Sequence, residues 1–199
     1  MTKFKRTDGQ VFEVKIDVFD LESQKLILDH APKPKAELVI RTSVGKRNKR
    51  QAGSSYMKDQ TISATVTIEN DSRDVDFSKG KGTLFLIARQ TRRYSDRDED
   101  YGKILSKQTF DVSVEASEER AFEAQPVVTS YDSDRDETNI GGWAYYGYLF
   151  ILQDSEGNVY SVECSIGNLK KDVEEDPVLA KKILPLENGS LVEKNLEKI

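Results

Sequence analysis

The sequence predicts a mostly β protein whose centre is an antiparallel β-sandwich of about seven strands. Apolar and polar residues alternate in several segments, most clearly in 61–69, where one face would carry Ile62, Ala64, Val66 and Ile68. A period of two is typical of a strand with one buried face. Turn residues separate the segments, and no helical period precedes residue 170. This pattern favours a sandwich of the immunoglobulin or fibronectin-III type, and a β-barrel is the alternative.

The predicted sandwich domain covers residues 36–168. Its strands are predicted at 37–42, 61–69, 83–89, 110–116, 121–128, 143–152 and 158–166. The third and the sixth are apolar on both faces, which predicts central positions in a sheet. Pro126 lacks an N–H group, so it places the fifth strand at a sheet edge or at a bulge.

Two shorter regions flank the sandwich. An N-terminal β-hairpin is predicted within 1–30, from strands at 12–18 and 26–28, and the proline-rich segment 31–35 is a stiff linker. A helical C-terminal tail is predicted over 169–199 and would pack on the sandwich edge or fray. Asp176 and Pro177 fit the start of one helix, and a capping box predicts a second, from Ser190 and Glu193.

The composition excludes several classes of function. A net charge of −5 opposes nucleic-acid binding, and no apolar run has the length of a membrane span. The chain holds one histidine, His30, and one cysteine, Cys164, which cannot build a Cys/His zinc site or a histidine-based triad in a monomer. The sequence therefore predicts a protein that is not an enzyme.

The acidic string SDRDE occurs twice, at 95–99 and 133–137. Each copy belongs to a set of alternate aspartates, the first at Asp96, Asp98 and Asp100 and the second at Asp132, Asp134 and Asp136. Alternate carboxylates on a curling loop can converge on Ca²⁺, which prefers several oxygen ligands. The interleaved arginines Arg97 and Arg135 would neutralise the same acids without a metal, so a solvated salt-bridge cluster is the favoured interpretation and calcium the alternative.

The two acidic strings are predicted to lie at the same end of the sandwich. Chain direction reverses at each antiparallel strand, so successive connections alternate between the two ends. The connections 90–102 and 130–142 therefore share an end with 45–55, a predicted basic loop. That loop contains Lys46, Arg47, Lys49 and Arg50.

Aromatic residues cluster in 143–148, with the sequence WAYYGY. Trp143, Tyr145 and Tyr146 are candidate residues for stacking against a sugar ring or a protein partner. Strand alternation would place Trp143 and Tyr145 on one face and Tyr146 and Tyr148 on the other, so burial in the core is the favoured interpretation. Tyr148 also fits the tyrosine corner of such sandwiches.

The N-terminal segment resembles part of the small SH3-like SLA-homology module found in exported proteins of planctomycete and verrucomicrobial bacteria. The matching stretches are 6–15 and 21–28, with an aspartate–glycine turn at Asp8–Gly9 and a strand expected at Lys25–Leu28. The usual tryptophan before the turn and a downstream P-L-S-x-L segment are absent, and the match covers about a seventh of the chain.

The rest of the chain is similar to the immunoglobulin-like domains that accompany such modules, along 65–70, 81–90 and 147–162. The resemblance implies a bacterial protein exported to the periplasm or cell surface, and it supplies no catalytic residues. With the sheet edges of a sandwich, it predicts a structural or protein–protein interaction module that binds a protein partner or a second copy of itself. The alternatives are a carbohydrate-binding sandwich and a calcium-stabilised module.

Overall fold

The computed structural model describes residues 2–5, 11–30, 35–91, 102–134, 138–167, 169–193 and 196. The chain forms two compact units, 1–35 and 36–199. The larger unit is an antiparallel β-sandwich, so the predicted all-β fold class is confirmed.

The N-terminal unit contains a hairpin and a helix. Strand β1 (Thr2–Lys5) pairs antiparallel with β2 (Val11–Val14), and a single 3₁₀ turn at Ile16–Val18 leads into α1 (Leu21–His30). The predicted hairpin between 12–18 and 26–28 is therefore wrong. The strand that the SH3-like resemblance implies at Lys25–Leu28 is also wrong, because these residues are helical.

Asp20 explains why this segment becomes a helix. Its carboxylate accepts hydrogen bonds from the backbone N–H and the hydroxyl of Ser23, at 2.9 and 3.0 Å. An aspartate at this position satisfies an N–H group that the first helical turn leaves without a partner. The bonds from Ser23 also hold the pKa of Asp20 below its ordinary value. The apolar run 26–28, read alone, does not reveal this cap.

The strands of the larger unit form two sheets, and their bounds are β3 (Leu38–Arg50), β4 (Met57–Asn70), β5 (Phe77–Gln90), β6 (Gly102–Val114), β7 (Glu119–Glu123), β8 (Val127–Asp132), β9 (Trp143–Gln153), β10 (Val159–Cys164) and β11 (Leu191–Val192). One sheet has the order β3-β4-β7, with β8 also paired to β4. The other has the order β10-β9-β5-β6-β11. The central positions predicted for the third and sixth sandwich strands are confirmed, because β5 lies between β6 and β9, and β9 between β5 and β10.

The predicted strand 121–128 is split. β7 and β8 both pair antiparallel with β4, along Thr65–Glu69 and Met57–Ile62 respectively. The break between them contains Pro126, and both segments lie at the sheet edge. A proline has no N–H group to give to the ladder, so the interruption falls where the sequence predicts it.

Two hydrophobic cores occupy the two faces of the five-stranded sheet. The inner core lies between the sheets and contains Ile62, Ala64, Val66, Ile68, Phe77, Leu84, Leu86, Val112, Val114, Ala124, Tyr148, Phe150 and Leu152. The predicted inward face of 61–69 is thus confirmed. The helix-side core lies on the other face and contains Phe85, Ile87, Ile104, Leu149, Ile151, Val162, Ile166, Leu169, Val173, Leu179, Ala180, Ile183, Leu186, Val192 and Leu196.

The C-terminal tail covers the outer face of the five-stranded sheet. Its helices are α2 (Leu169–Glu175) and α3 (Pro177–Ile183). Both lie within the helical tail predicted over 169–199, although the sequence placed no separate helix at α2. The predicted start of α3 is confirmed, because the Asp176 side chain accepts a hydrogen bond from the N–H of Val178 at 2.9 Å. The helices contribute buried side chains to the helix-side core, so the described part of the tail packs against the sandwich.

The second predicted tail helix is wrong at its start. Leu191 and Val192 form β11, which pairs with Lys103 and Gly102 of β6. The Ser190 hydroxyl accepts a hydrogen bond from the Glu187 N–H instead of capping a helix. Val192 is fully buried in this pairing, and that tertiary burial outweighs a local capping pattern.

Candidate functional site

One end of the sandwich gathers three connections. β5 ends at Gln90, which pairs with Trp143 at the start of β9, and the Thr91 N–H donates to the Gly142 carbonyl at 3.0 Å. Met57, which follows the β3–β4 turn, pairs with Asp132 at the end of β8. The connections that leave β3, β5 and β8 therefore start at one end, as the alternation of chain direction predicts.

The predicted basic loop is a strand over most of its length. β3 continues to Arg50, so the connection to β4 is the turn 51–56. The four basic residues of 46–50 lie on a regular ladder opposite β4, from Lys46 paired with Ile62 to Arg50 paired with Lys58. Their backbone positions are therefore fixed by strand pairing.

Asp132 closes the connection between β8 and β9. The side chain is 6% exposed. One of its carboxylate oxygens accepts a hydrogen bond from the Asp134 N–H at 2.9 Å, and the other accepts one from the Ile140 N–H at 3.0 Å. Asn139, also buried, donates from its amide to the Asp134 carbonyl and accepts from the Gly141 N–H, both at 2.6 Å. The Asp132 carboxylate thus holds the loop in shape.

Two of the six candidate calcium ligands lie within the described residues. Asp96, Asp98, Asp100 and Asp136 lie outside the described residues, and Asp132 and Asp134 lie within them. The described part of the chain contains no group of three or more histidine, cysteine or carboxylate side chains placed to hold a metal ion. Both carboxylate oxygens of Asp132 already accept backbone N–H groups, so this side chain is committed to the loop.

A β-bulge separates the aromatic residues of β9 in a way that alternation did not predict. Ile87 pairs with Gly147, while the next residue, Ala88, pairs with Tyr145, so Tyr146 is an extra residue on its strand. The bulge brings Tyr145 and Tyr148 to the same side, where both contact the inner core. Tyr146 faces the other side of the sheet, in contact with Arg89. The expectation that Tyr146 and Tyr148 share a face is therefore wrong.

Each candidate stacking ring already has a cation beside it. Lys103 Nζ lies 5.6 Å from the centre of the Trp143 ring, and Lys46 Nζ lies 5.4 Å from that of Tyr145. The Arg89 guanidinium carbon lies 3.5 Å from the centre of the Tyr146 ring. Since the rings also lie on two faces of the sheet, they do not form one flat platform.

The tyrosines on the inner side of β9 have shifted pKa values. Burial raises the pKa of Tyr145 to about 12. Burial, followed by the charge of Glu163, also raises the pKa of Tyr148. The Tyr148 hydroxyl donates to a carboxylate oxygen of Glu163 at 3.4 Å. Its partner in this bond is a side chain, whereas the tyrosine of a tyrosine corner bonds to the backbone.

A groove of about 440 Å³ lies beside β10, where α2 and α3 approach the sheet. Among the described residues β10 pairs with β9 alone, so its outer edge carries no strand. The groove is lined by apolar residues, among them Val159, Val162, Val173 and Leu184, and by polar or charged ones, among them Ser161, Glu174 and Lys181. Its volume is in the range of ligand and peptide pockets.

Sequence reasoning missed this groove because it placed no separate helix at α2. The alternation of Tyr160, Val162 and Cys164 predicts a strand at this place, but it does not show that a helix packs beside its free edge. The signal that was available is the spacing of Leu169 and Val173, four residues apart, which are the two buried residues of α2.

Comparisons with known proteins give little beyond this geometry. No family model and no curated protein matches the chain. Among solved structures, a protein from Akkermansia muciniphila, a verrucomicrobial bacterium, is similar over 71% of this chain and 77% of its own length, with 11% sequence identity and a TM-score of 0.26. A likeness of that size carries no inference about this chain. In the described ranges, no helix has both the length and the apolarity to cross a membrane.

Proposed function

We propose that this protein is a non-enzymatic protein–protein interaction module that binds an extended peptide segment of a partner at the β10 edge. The observation that carries the proposal is the outer edge of β10, which pairs with no strand among the described residues and lies beside a groove lined by residues of α2 and α3. An edge strand offers N–H and C=O groups that an added strand can pair with, and the adjoining groove can accept alternate side chains of that strand.

The chemistry of the groove specifies the partner segment. Val159, Val162 and Leu184 provide apolar contacts, and Glu174 and Lys181 add one charge of each sign. The segment should therefore be extended, with an apolar side chain at every second position facing the helices. Strand addition of this kind supplies affinity through the main chain and specificity through the pocket.

The cellular setting is proposed on the sequence resemblance. We place the module in the envelope of a bacterium, exported to the periplasm or cell surface, because its N-terminal segment resembles exported proteins. The strand order, with sheets β3-β4-β7 and β10-β9-β5-β6, supports an immunoglobulin- or fibronectin-III-like sandwich, an architecture that many cell-surface domains use.

The alternatives find less support in the geometry. A carbohydrate platform would need open aromatic faces on one side of a sheet, whereas the three candidate rings have cations beside them and lie on two sides. Of the six candidate calcium ligands, four lie outside the described residues, and Asp132, within them, accepts two backbone N–H groups of its own loop. We therefore place the peptide-binding proposal first.

Peptide selection tests the proposal. Random peptides displayed on phage would be selected on the whole protein, and the enriched peptides synthesised and their affinity measured by fluorescence anisotropy. We expect enriched sequences with alternating apolar residues. Ser161→Arg, which places a long charged side chain in the groove, should weaken their binding by about tenfold or more.

Thr109→Arg is the matched control, because Thr109 is an exposed strand position on β6 and receives the same added charge. It should leave the affinity unchanged. Equal binding by the Ser161→Arg variant, or a selection that enriches no peptide, would contradict the proposal. Light scattering over a range of concentrations would show whether a second copy takes the place of the peptide, since self-association makes the measured mass rise with concentration.

A further inference from the structure

The far half of β3 is an exposed, strongly basic sheet edge. We call Lys46, Arg47, Lys49 and Arg50 the basic edge. All four are exposed, and within the described chain β3 pairs with β4 on one side and with no strand on the other. This surface belongs to the four-stranded sheet, whereas the β10 groove lies at the five-stranded sheet.

In the described part of the chain, the cations of the basic edge form no salt bridge. No described carboxylate lies within ion-pair distance of Arg47, Lys49 or Arg50. The nearest acid on β4, Asp59, already accepts hydrogen bonds from Gln51 at 2.6 Å and Ser130 at 2.7 Å. The bond from Gln51, then that from Ser130, lowers the pKa of Asp59, and the charge of Lys49, which is paired opposite on β3, lowers it further. Asp59 therefore remains charged and offsets part of the charge of the basic edge without a direct ion pair.

The near half of β3 shows the contrast. Arg41, on the same strand, forms an ion pair with Glu69 at 2.9 Å and a longer one with Glu119 at 3.8 Å. The half of β3 that lies across β4 from β7 thus carries an ion pair, and the half that lies across β4 from β8 carries none among the described residues. A free cationic edge of this kind attracts a complementary negative charge.

Both faces of the basic edge carry charge. Residues 38, 40 and 44 of β3 contact the inner core, so alternation places Lys46 and Arg50 on that same face and Arg47 and Lys49 on the outer face. Residues 45–50 are exposed throughout. A strand added here would meet cations on both of its faces, so its complement is a run of consecutive acidic residues and not an alternating pattern.

We propose that the basic edge binds an extended acidic segment of a partner protein, one with at least about four consecutive Asp or Glu residues, by strand addition to β3. The unpaired main-chain groups of β3 would hydrogen-bond to the segment, and cross-strand charge pairs would give selectivity. A second copy of β3 does not suit this edge, because antiparallel self-pairing would bring like charges together.

A polypeptide fits this surface better than another polyanion. The edge offers a row of main-chain donors and acceptors at strand spacing, which a peptide backbone matches and a phosphate chain or lipid surface does not. The net charge of −5 for the whole chain also opposes a long polyanion, whereas a short acidic segment meets only the local positive field.

A fluorescein-labelled peptide with a central run of glutamates tests the proposal against the full chain. We expect saturable binding that weakens as salt is added, and no binding of the same peptide with glutamines in the run. The double variant Arg47→Glu/Lys49→Glu should reduce the affinity by about tenfold or more, and Arg47→Gln/Lys49→Gln by a smaller factor. Lys81→Glu/Arg120→Glu, the same charge change at exposed strand positions elsewhere, is the matched control and should reduce it far less.

Two further arms separate strand addition from plain charge attraction. A glutamate peptide with alternate backbone nitrogens methylated keeps its charge but loses donors on one edge, so its binding should be largely lost. Equal binding of the methylated peptide would overturn the proposal. Single-stranded DNA and anionic phospholipid vesicles are the competing ligands, and tighter binding of either than of the glutamate peptide would overturn it as well. The thermal midpoint of each variant should stay close to that of the parent protein.

Discussion

The inner core and the helix-side core lie on opposite faces of one sheet, and they are encoded in different ways. The inner core takes its residues from strands that alternate visibly, such as Ile62 to Ile68 in β4. The helix-side core combines the other face of β5 and β9 with residues from α2, α3 and β11. The first can be read from local periods, whereas the second depends on where the tail folds.

The difference explains why β5 and β9 are apolar on both faces. In a sandwich with one solvated face, each strand would show one apolar row. Here the tail replaces the solvent, so both rows of β5 are buried, from Leu84 to Ala88. The run of apolar residues was therefore a correct sign that a second layer exists, although it does not say what the layer is.

The largest expected effect comes from removing one large ring from each core. Phe85 and Phe150 are both fully buried, on neighbouring strands and opposite faces of the sheet. Phe85→Ala and Phe150→Ala should each lower the free energy of unfolding by about 3–5 kcal/mol, because each leaves a cavity. Urea denaturation measures both. A loss of less than about 1 kcal/mol for Phe85→Ala alone would mean that the tail does not seal its core.

A smaller effect should come from adding one methyl group to each core. A Cβ at Gly82 would lie 2.7 Å from the tip of the Phe150 ring, and one at Gly147 would lie 2.5 Å from Ile166 Cγ1. Gly82→Ala and Gly147→Ala should each cost about 1–3 kcal/mol through overpacking.

A second substitution shows whether the two cores respond independently. Phe150→Leu should recover part of the cost of Gly82→Ala, because it makes room in the inner core, and none of the cost of Gly147→Ala. Double-mutant cycles in urea denaturation measure this coupling. Recovery of both would show that the sheet transmits strain between its faces.

The smallest effect is a dependence on alkaline pH that differs between the cores. Burial raises the pKa of Cys164, which packs against the helix-side core, to about 11. The folded protein keeps the proton that the unfolded chain releases near pH 9.0. The stabilisation is therefore complete below pH 9.0 and declines between 9.0 and about 11. Tyr145, beside the inner core, should cause a later decline, between 10.0 and about 12.

Urea midpoints measured against pH check this order. Cys164→Ala should remove the earlier decline and leave the later one, and Tyr145→Phe should reduce the later one, to which Tyr148 also contributes because its pKa is raised as well. The ordinary reactivity of the thiol gives a second readout, because alkylation of Cys164 in the native protein should be much slower than in the unfolded chain. Rapid native alkylation at neutral pH would contradict the burial of this side chain.

The candidate site shows where sequence reasoning succeeded and where it failed. The meeting of three connections at one end follows from counting chain reversals, and that prediction was correct for the strand ends. The role of Asp132 was not predictable, because its partners, the N–H groups of Asp134 and Ile140, are defined by the loop's own fold. The bulge at Tyr146 shifts the aromatic residues by one position and reverses the expected facing of Tyr148.

By itself, the sequence determined the sandwich, the inward face of 61–69, the interruption at Pro126 and the start of α3. Each of these depends on neighbours close in the chain, through side-chain alternation, a missing N–H group or a cap. Tertiary structure alone decided that 191–192 would be a strand, that the tail would seal a second core, and that β3 and β10 would each have one edge with no partner strand among the described residues. Those outcomes depend on burial and pairing between segments far apart in the chain, whose energies outweigh weak local preferences.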